Sequence, residues 1–201
     1  VMHACGHDNH MAILMGAAEI LAGMREELPG AVKFIFQPAE EGAPKGEEGG
    51  AKLMVAEGVL KNPDVDAVIG LHISQGGEVG TASYRSLGFM ASAQRFDIKI
   101  QGKQTHGARP WAGVDPIVVG AQIVNALQTI VSRQIDITQH PAVVTVGSFA
   151  AGVRNNIVPE TATLTGTIRT FDAAVRRSIH EKIRSIAQQT ATAMGAVATV
   201  E

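Results

Sequence analysis

Apolar residues recur along this chain in two rhythms. Between Asp8 and Pro29, Met11, Leu14, Met15, Ala18, Leu21 and Ala22 repeat at helical spacing. That spacing predicts a helix with one core-facing stripe, capped by Asp8 and stopped at Pro29-Gly30. Residues 31–37 (AVKFIFQ) are short, apolar and aromatic-rich, and read as a buried strand ended by Pro38. A turn-rich loop over 42–50, a helix over 51–60 and a break at Asn62-Pro63 follow. Residues 65–71 (VDAVIGL) then form a second buried strand that ends at His72. Helix, strand, helix, strand predicts an α/β fold with a parallel sheet.

The rhythm changes after Gly76-Gly77. Strand-like residues 78–84 lead to Gly88, and 91–101 alternate with Phe96, Ile98 and Ile100 on one face. A polar loop at 102–113 precedes a helix over about 115–133, strands at 142–149 and 161–170, a helix at 172–194 and a terminal strand at 196–200. That order is β-α-β-β-α-β, the ferredoxin-like motif. The pattern therefore predicts residues 1–90 as a partial parallel-sheet domain of hydrolase-like α/β type, and residues 91–201 as an α+β ferredoxin-like domain. The second is a closed unit that should fold unaided, whereas the first is expected to need something else to complete its sheet.

Composition narrows the function classes. The chain has 201 residues, 45% hydrophobic and 18% charged, with a formal net charge of −2. These values fit a globular protein and exclude bulk disorder. A near-neutral balance with only 4% aromatics argues against a nucleic-acid partner. A single cysteine excludes an intramolecular disulfide framework. No apolar run approaches the ~18–20 residues of a membrane span, so no membrane partner is expected. The chain opens at Val1 and reaches a dense polar motif almost at once, so it reads as a segment of a longer protein. A cytoplasmic location is expected, or a periplasmic or secreted one if an upstream leader exists.

Polar residues then cluster where the predicted elements end. Cys5 and His7 bracket a glycine at a helix N-terminus, where the helix dipole favours a thiolate. Thiolate and imidazole together suit zinc or a similar metal. Taken alone, the pair reads more readily as a small buried Cys beside a capping Asp, and His3 and His10 add polar groups nearby, behind any ligands or on the surface. Glu40 and Glu41 follow the first strand and His72 ends the second. In open α/β sheets, ligands gather beyond the carboxyl ends of the strands. Three elements placing Cys5/His7, Glu40/Glu41 and His72 at one edge favour a metal site over separate structural roles.

Six stretches carry a resemblance to a known family: 2–8 (MHACGHD), 36–42 (FQPAEEG), 69–73 (IGLHI), 102–110 (GKQTHGARP), 155–160 (NNIVPE) and 166–171 (GTIRTF). Together they resemble the amidohydrolase group of the aminoacylase/carboxypeptidase-type dinuclear metallopeptidases, which includes hippurate hydrolases and indoleacetyl-amino acid hydrolases. The resemblance implies that Cys5, His7, Glu41 and His72 are metal ligands and that Glu40 is the general base. It implies that His106 polarises the scissile carbonyl, often from the partner subunit, and that Asn156 and Arg169 hold substrate. It further implies two divalent cations, zinc or manganese with cobalt or nickel as further candidates, and a homodimer formed through a lid domain at 91–201. In such proteins the catalytic domain starts before the first motif and resumes after the lid with one more metal-binding His.

The expected function is hydrolysis of the amide bond of N-acyl amino acids or similar small amides by metal-activated water. The isolated 201-residue chain is expected to be a poor catalyst, because four metal-ligating groups are few for two ions. A second reading is a catalytically incomplete fragment that acts as a dimerisation or binding module through an exposed sheet edge.

Overall fold

The computed structural model describes residues 4–201, so His3 lies outside the described residues. The chain divides into two compact units, Val1–Ala82 and Ser83–Glu201. The division falls earlier than the boundary near residue 90 that the pattern suggests. Residues 83–91 pack with the second unit: the Arg85 guanidinium lies 5.7 Å from the Phe171 ring centroid. A Cβ on Gly88 would come within 2.5 Å of that same ring, so only a glycine lets the chain pass so closely.

In the second unit each predicted element is present within a few residues. Its main elements are β1 (Ser92–Gln101), α3 (Pro116–Gln134), β3 (Ala142–Ala151), β5 (Thr161–Thr170), α4 (Ala173–Ala193) and β6 (Val197–Val200). Two-residue strands β2 (Thr105–His106) and β4 (Ile157–Val158) pair with each other. The four long strands form an antiparallel sheet in the order β3-β5-β1-β6. Alternation explains which face is inside: Phe96, Ile98 and Ile100 of β1 and Leu164 and Ile168 of β5 are buried. Against them lie Val119, Ile123, Leu127 and Ile130 of α3 and Ile179, Ile183, Ala187 and Ala191 of α4, both sets at helical spacing. Asp115 caps α3 by accepting from the Ile117 and Val118 N–H groups, and Asp172 caps α4 by accepting from Ala174 and Val175. On the solvent face of the sheet, Asp97 accepts two hydrogen bonds from Arg95, at 2.7 and 2.8 Å, and one from the Thr165 hydroxyl at 2.7 Å. His180, whose place on α4 suggests a solvated face, is instead half-buried and meets Gln94 Oε1 at 2.5 Å.

The first unit departs from expectation. Its helices are α1 (His7–Gly23) and α2 (Gly50–Ala56). Among the described residues, 31–37 and 65–71 join no helix and no backbone ladder, and 78–84 form turns and loop rather than a strand. The sheet of this chain is therefore antiparallel, and the parallel sheet predicted for residues 1–90 is corrected. The physical reason is that a strand is defined by its neighbours, and an apolar run without a hydrogen-bonded partner stays a single unpaired segment. Nor does the apolar stripe of α1 find a core: α1 holds no buried residue, and Met11 and Met15 are exposed. Its N-cap is Gly6 rather than Asp8, which sits in the first turn. One side chain ties the 31–37 segment to the turns that follow α2. Lys33 Nζ donates to the carbonyls of Val59, Lys61 and Pro63 at 3.1, 2.7 and 3.3 Å.

Candidate metal centre

Gly6 sets the geometry of the first motif. Its φ of +73° is a left-handed conformation that a glycine adopts without strain. A Cβ there would lie 2.2 Å from Ile73 Cδ1. The Cys5–His7 turn therefore packs directly on the residue that follows His72. As a result Cys5 Sγ lies 3.5 Å from His72 Nε2. His72 Nδ1 donates to the Ile73 carbonyl at 2.7 Å, which places the ring proton on Nδ1 and leaves the Nε2 lone pair facing Cys5.

Glu40 and Glu41 reach the same place from the end of the 31–37 segment. His7 Nδ1 lies 3.6 Å from Glu40 Oε2, and His7 Nε2 lies 3.8 Å from Glu41 Oε1. Two groups of three donors result, Cys5/His7/His72 and His7/Glu40/Glu41, in each of which the donor atoms lie within 4.8 Å of one another. His7 is common to both. The five side chains that the sequence marks at strand and helix ends thus converge. The distances treat Glu40 and Glu41 alike, so geometry alone does not separate base from ligand.

The donor set fits a transition-metal pair. Two ligands bound at ~2.1 and ~2.3 Å around one tetrahedral ion stand about 3.6 Å apart, close to the thiol–imidazole separation observed. Cys5, His7 and His72 give one ion three protein donors and leave a position open, as catalytic rather than structural sites do. A purely structural cluster has no need of a thiol, two imidazoles and two carboxylates aimed at one point.

A third imidazole, His10, which the sequence marks as a polar group near the motif but not as a ligand, belongs to the cluster. The His10 ring lies 5.2 Å from that of His7 and 4.6 Å from that of His72. Burial, and then the charges of His72 and His7, lower its pKa below the usual histidine value. The signal was available, since His10 follows His7 at i+3 on α1 and so shares its face.

In the second unit, His106 and Asn156 lie side by side. His106 pairs with Ile157 across β2 and β4, and the Gly107 N–H donates to the Asn156 carbonyl at 2.8 Å. A Cβ on Gly107 would press on the Asn156 backbone at 3.0 Å. His106 Nδ1 accepts from the Ala108 N–H at 3.1 Å, so its proton is on Nε2, a donor with no acceptor among the described residues. Arg169 is elsewhere. It registers with Ala93 and Val143 near the opposite end of β5. At ~3.3 Å per residue, the run from Thr161 to Arg169 alone covers about 26 Å. Beyond Thr161 the paired strands continue away from Arg169, Thr105 facing Val158 and His106 facing Ile157. Trp111, in the loop after His106, is largely exposed.

The model of peptidase family M20/M25/M40 matches residues 1–199. An N-acetyl-L-cysteine deacetylase of Bacillus subtilis (strain 168) is 40% identical over 201 residues, which is 100% of this chain and 46% of that protein. An N-acyl-L-amino acid amidohydrolase of Geobacillus stearothermophilus is 42% identical over 196 residues, 98% of this chain and 51% of the relative. Among solved structures, the YXEP protein of Bacillus subtilis, a dinuclear metal-binding peptidase, matches with a TM-score of 0.76 at 37% identity, covering 100% of this chain and 48% of its own. The chain thus spans about half the length of the curated relatives it matches.

Proposed function

The chain belongs to peptidase family M20/M25/M40, and we propose that it carries the metal centre and substrate-holding residues of a hydrolase that cleaves the amide bond of N-acyl amino acids. The observation that carries this reading is the pair of donor groups sharing His7. The printed activities of the two relatives, N-acetyl-L-cysteine deacetylation and N-acyl-L-amino acid hydrolysis, support the substrate class.

Cys5, His7 and His72 would hold one divalent cation, and His7, Glu41 and Glu40 surround the place of a second. Zinc or manganese suits these donors. Bound there, the cations supply Lewis acidity, which lowers the pKa of water from 15.7 toward ~7. The chain's own residues do the remaining work. Glu40 accepts the proton of the attacking water and delivers it to the departing amine nitrogen. His106 donates its Nε2 proton in a hydrogen bond to the carbonyl oxygen as negative charge gathers there, a contact of about 3–4 kcal/mol in the transition state. The Asn156 amide beside it holds a polar group of the substrate. Arg169 binds the substrate carboxylate through both oxygens.

The separation of Arg169 from His106 and Asn156 bears on assembly. A small N-acyl amino acid does not bridge the ~26 Å that β5 sets between them. We infer that the second unit acts as a lid whose Arg169 and whose His106–Asn156 pair serve different active sites of a two-fold homodimer.

Glu40→Gln tests the chemistry. The substitution keeps the side-chain shape and removes the base. In the full-length protein it should abolish turnover of N-acetyl amino acids while metal content stays at the wild-type value, whereas Glu41→Gln should lose metal. Metal loss from Glu40→Gln with metal retained in Glu41→Gln would exchange the two roles.

A further inference from the structure

Three imidazoles crowd the candidate metal centre, and their hydrogen bonds divide them. His72 has its Nδ1 proton committed to the Ile73 carbonyl and its Nε2 lone pair free. His7 directs both ring nitrogens toward carboxylates. His10 differs: its Nε2 accepts the Ile73 backbone N–H at 3.0 Å. That bond uses the Nε2 lone pair and leaves the ring proton on Nδ1, so neither nitrogen of His10 has a lone pair to offer a cation.

We propose that His10 is a positioning residue that holds the His72 corner against helix α1 and so fixes the spacing of the Cys5, His7 and His72 donors. The inference rests on the reading of those three residues as metal ligands. The mechanics follow from the chain path. Residues 71–74 lie outside any helix or ladder, so nothing in regular structure fixes where His72 points. Ile73 is held from both sides: its carbonyl by the His72 ring and its N–H by His10. His10 stands one turn along α1 from His7, on the same helical face. The His10 bond therefore ties the element bearing His7 to the segment bearing His72. The edge-on contact between the His10 and His72 rings, at 74°, adds a steric stop against rotation of the ligand ring. Partners that orient metal ligands in this way typically govern affinity by 10- to 100-fold.

The test compares His10→Leu with His10→Gln in the full chain. A Gln side-chain oxygen reaches close to the position of Nε2 and accepts the same N–H, while Leu fills space without accepting. Co(II) binding is followed through the thiolate-to-cobalt charge-transfer band of Cys5, in competition with a chelator, and the metal-free melting temperature is recorded for each variant. The expected result is Co(II) affinity about 10- to 100-fold weaker for His10→Leu, restoration to within about threefold by His10→Gln, and metal-free melting temperatures alike. Equal loss in both variants would make His10 a ligand and overturn the proposal, as would wild-type affinity in His10→Leu. A lower metal-free melting temperature in His10→Leu, with Co(II) affinity unchanged, would reduce its role to fold stability and also overturn it. A wild-type chain with no thiolate–cobalt band would remove the metal reading itself, and the positioning role with it, an outcome distinct from any difference among the variants.

Discussion

The distance along β5 converts into a number that can be measured. If one reaction uses both Arg169 and His106, and about 26 Å of strand divides them, the two groups come from different copies. In the full-length protein, His106→Ala and Arg169→Ala should each inactivate every site of their own homodimer. Loss of His106 alone removes a donor contact whose deletion typically costs about 10²–10³ in rate, so the background is low. When equal amounts of the two variants are unfolded and refolded together, about half of the dimers are mixed under two-fold pairing. In each mixed dimer one site has an intact Arg169 and receives an intact His106 from the other copy, while the second site has neither. The mixture should recover about one quarter of wild-type activity toward an N-acetyl amino acid. A site built within one copy recovers none, because every copy keeps one lesion. The double variant mixed with an equal amount of wild type supplies the opposite control. It should retain about one quarter of wild-type activity if the site is shared, and about half if it is not. No recovery in the first mixture together with half retention in the second would refute the shared site.

Two further predictions concern the frame around the sites. Lys33→Met leaves the carbonyls of Val59, Lys61 and Pro63 without their common donor, and at about 1.5–3 kcal/mol for hydrogen bonds to a charged group it should lower the stability of the first unit; unchanged amide hydrogen exchange over residues 59–65 would count against this. The backbone N–H of Val175, followed by that of Ala174, holds the Asp172 carboxyl below its usual pKa, so its contribution is present above the unfolded value of about 3.9 and is lost as pH falls through the lower folded value. Asp172→Asn keeps the cap and removes the titration, so the melting temperature of the variant should fall less than that of wild type between pH 5 and the acid limit; parallel curves would refute it.

The two units were legible in the sequence to different extents, for a reason that particular elements make plain. The stripe Val119, Ile123, Leu127, Ile130 has its complement within the chain, in Ile98, Ile100, Leu164 and Ile168. Periodicity therefore located α3, and alternation located β5 at the residues where it lies. The runs 31–37 and 65–71 carry an equally strong apolar signal but lack a ladder partner among the described residues, and hydrophobicity alone cannot tell a paired strand from an unpaired segment. The convergence of Cys5, His7, Glu40, Glu41 and His72 was nonetheless readable, because it depends on where the apolar runs stop rather than on whether they pair. The roles of Glu40 and Glu41 were not: adjacent carboxylates reach one imidazole at 3.6 and 3.8 Å, and neither sequence nor distance ranks them.

The placement of Arg169 needed the strand register. Read along the chain, Asn156 and Arg169 are near neighbours, and both fall in motifs that imply contact with substrate. In the fold, Gln101 faces Thr161 while Thr105 faces Val158 and His106 faces Ile157. One side of the pair therefore takes an extra residue near Gly102 and Lys103, where Lys103 turns to bridge Val114. That irregularity behaves as a bulge does: it redirects the strand without ending the pairing. It carries His106 and Asn156 past the end of the four-stranded sheet, on the far side from Arg169. Residues close in sequence thus become distant in space because a strand spends its length in a straight line, whereas a helix of the same length would have kept them within about half that distance. If the substrate contacts are divided between two copies, as proposed, the division follows from putting both motifs on one extended strand path, and shortening β5 by a two-residue deletion would bring them closer by only about 7 Å, a small part of the ~26 Å along β5.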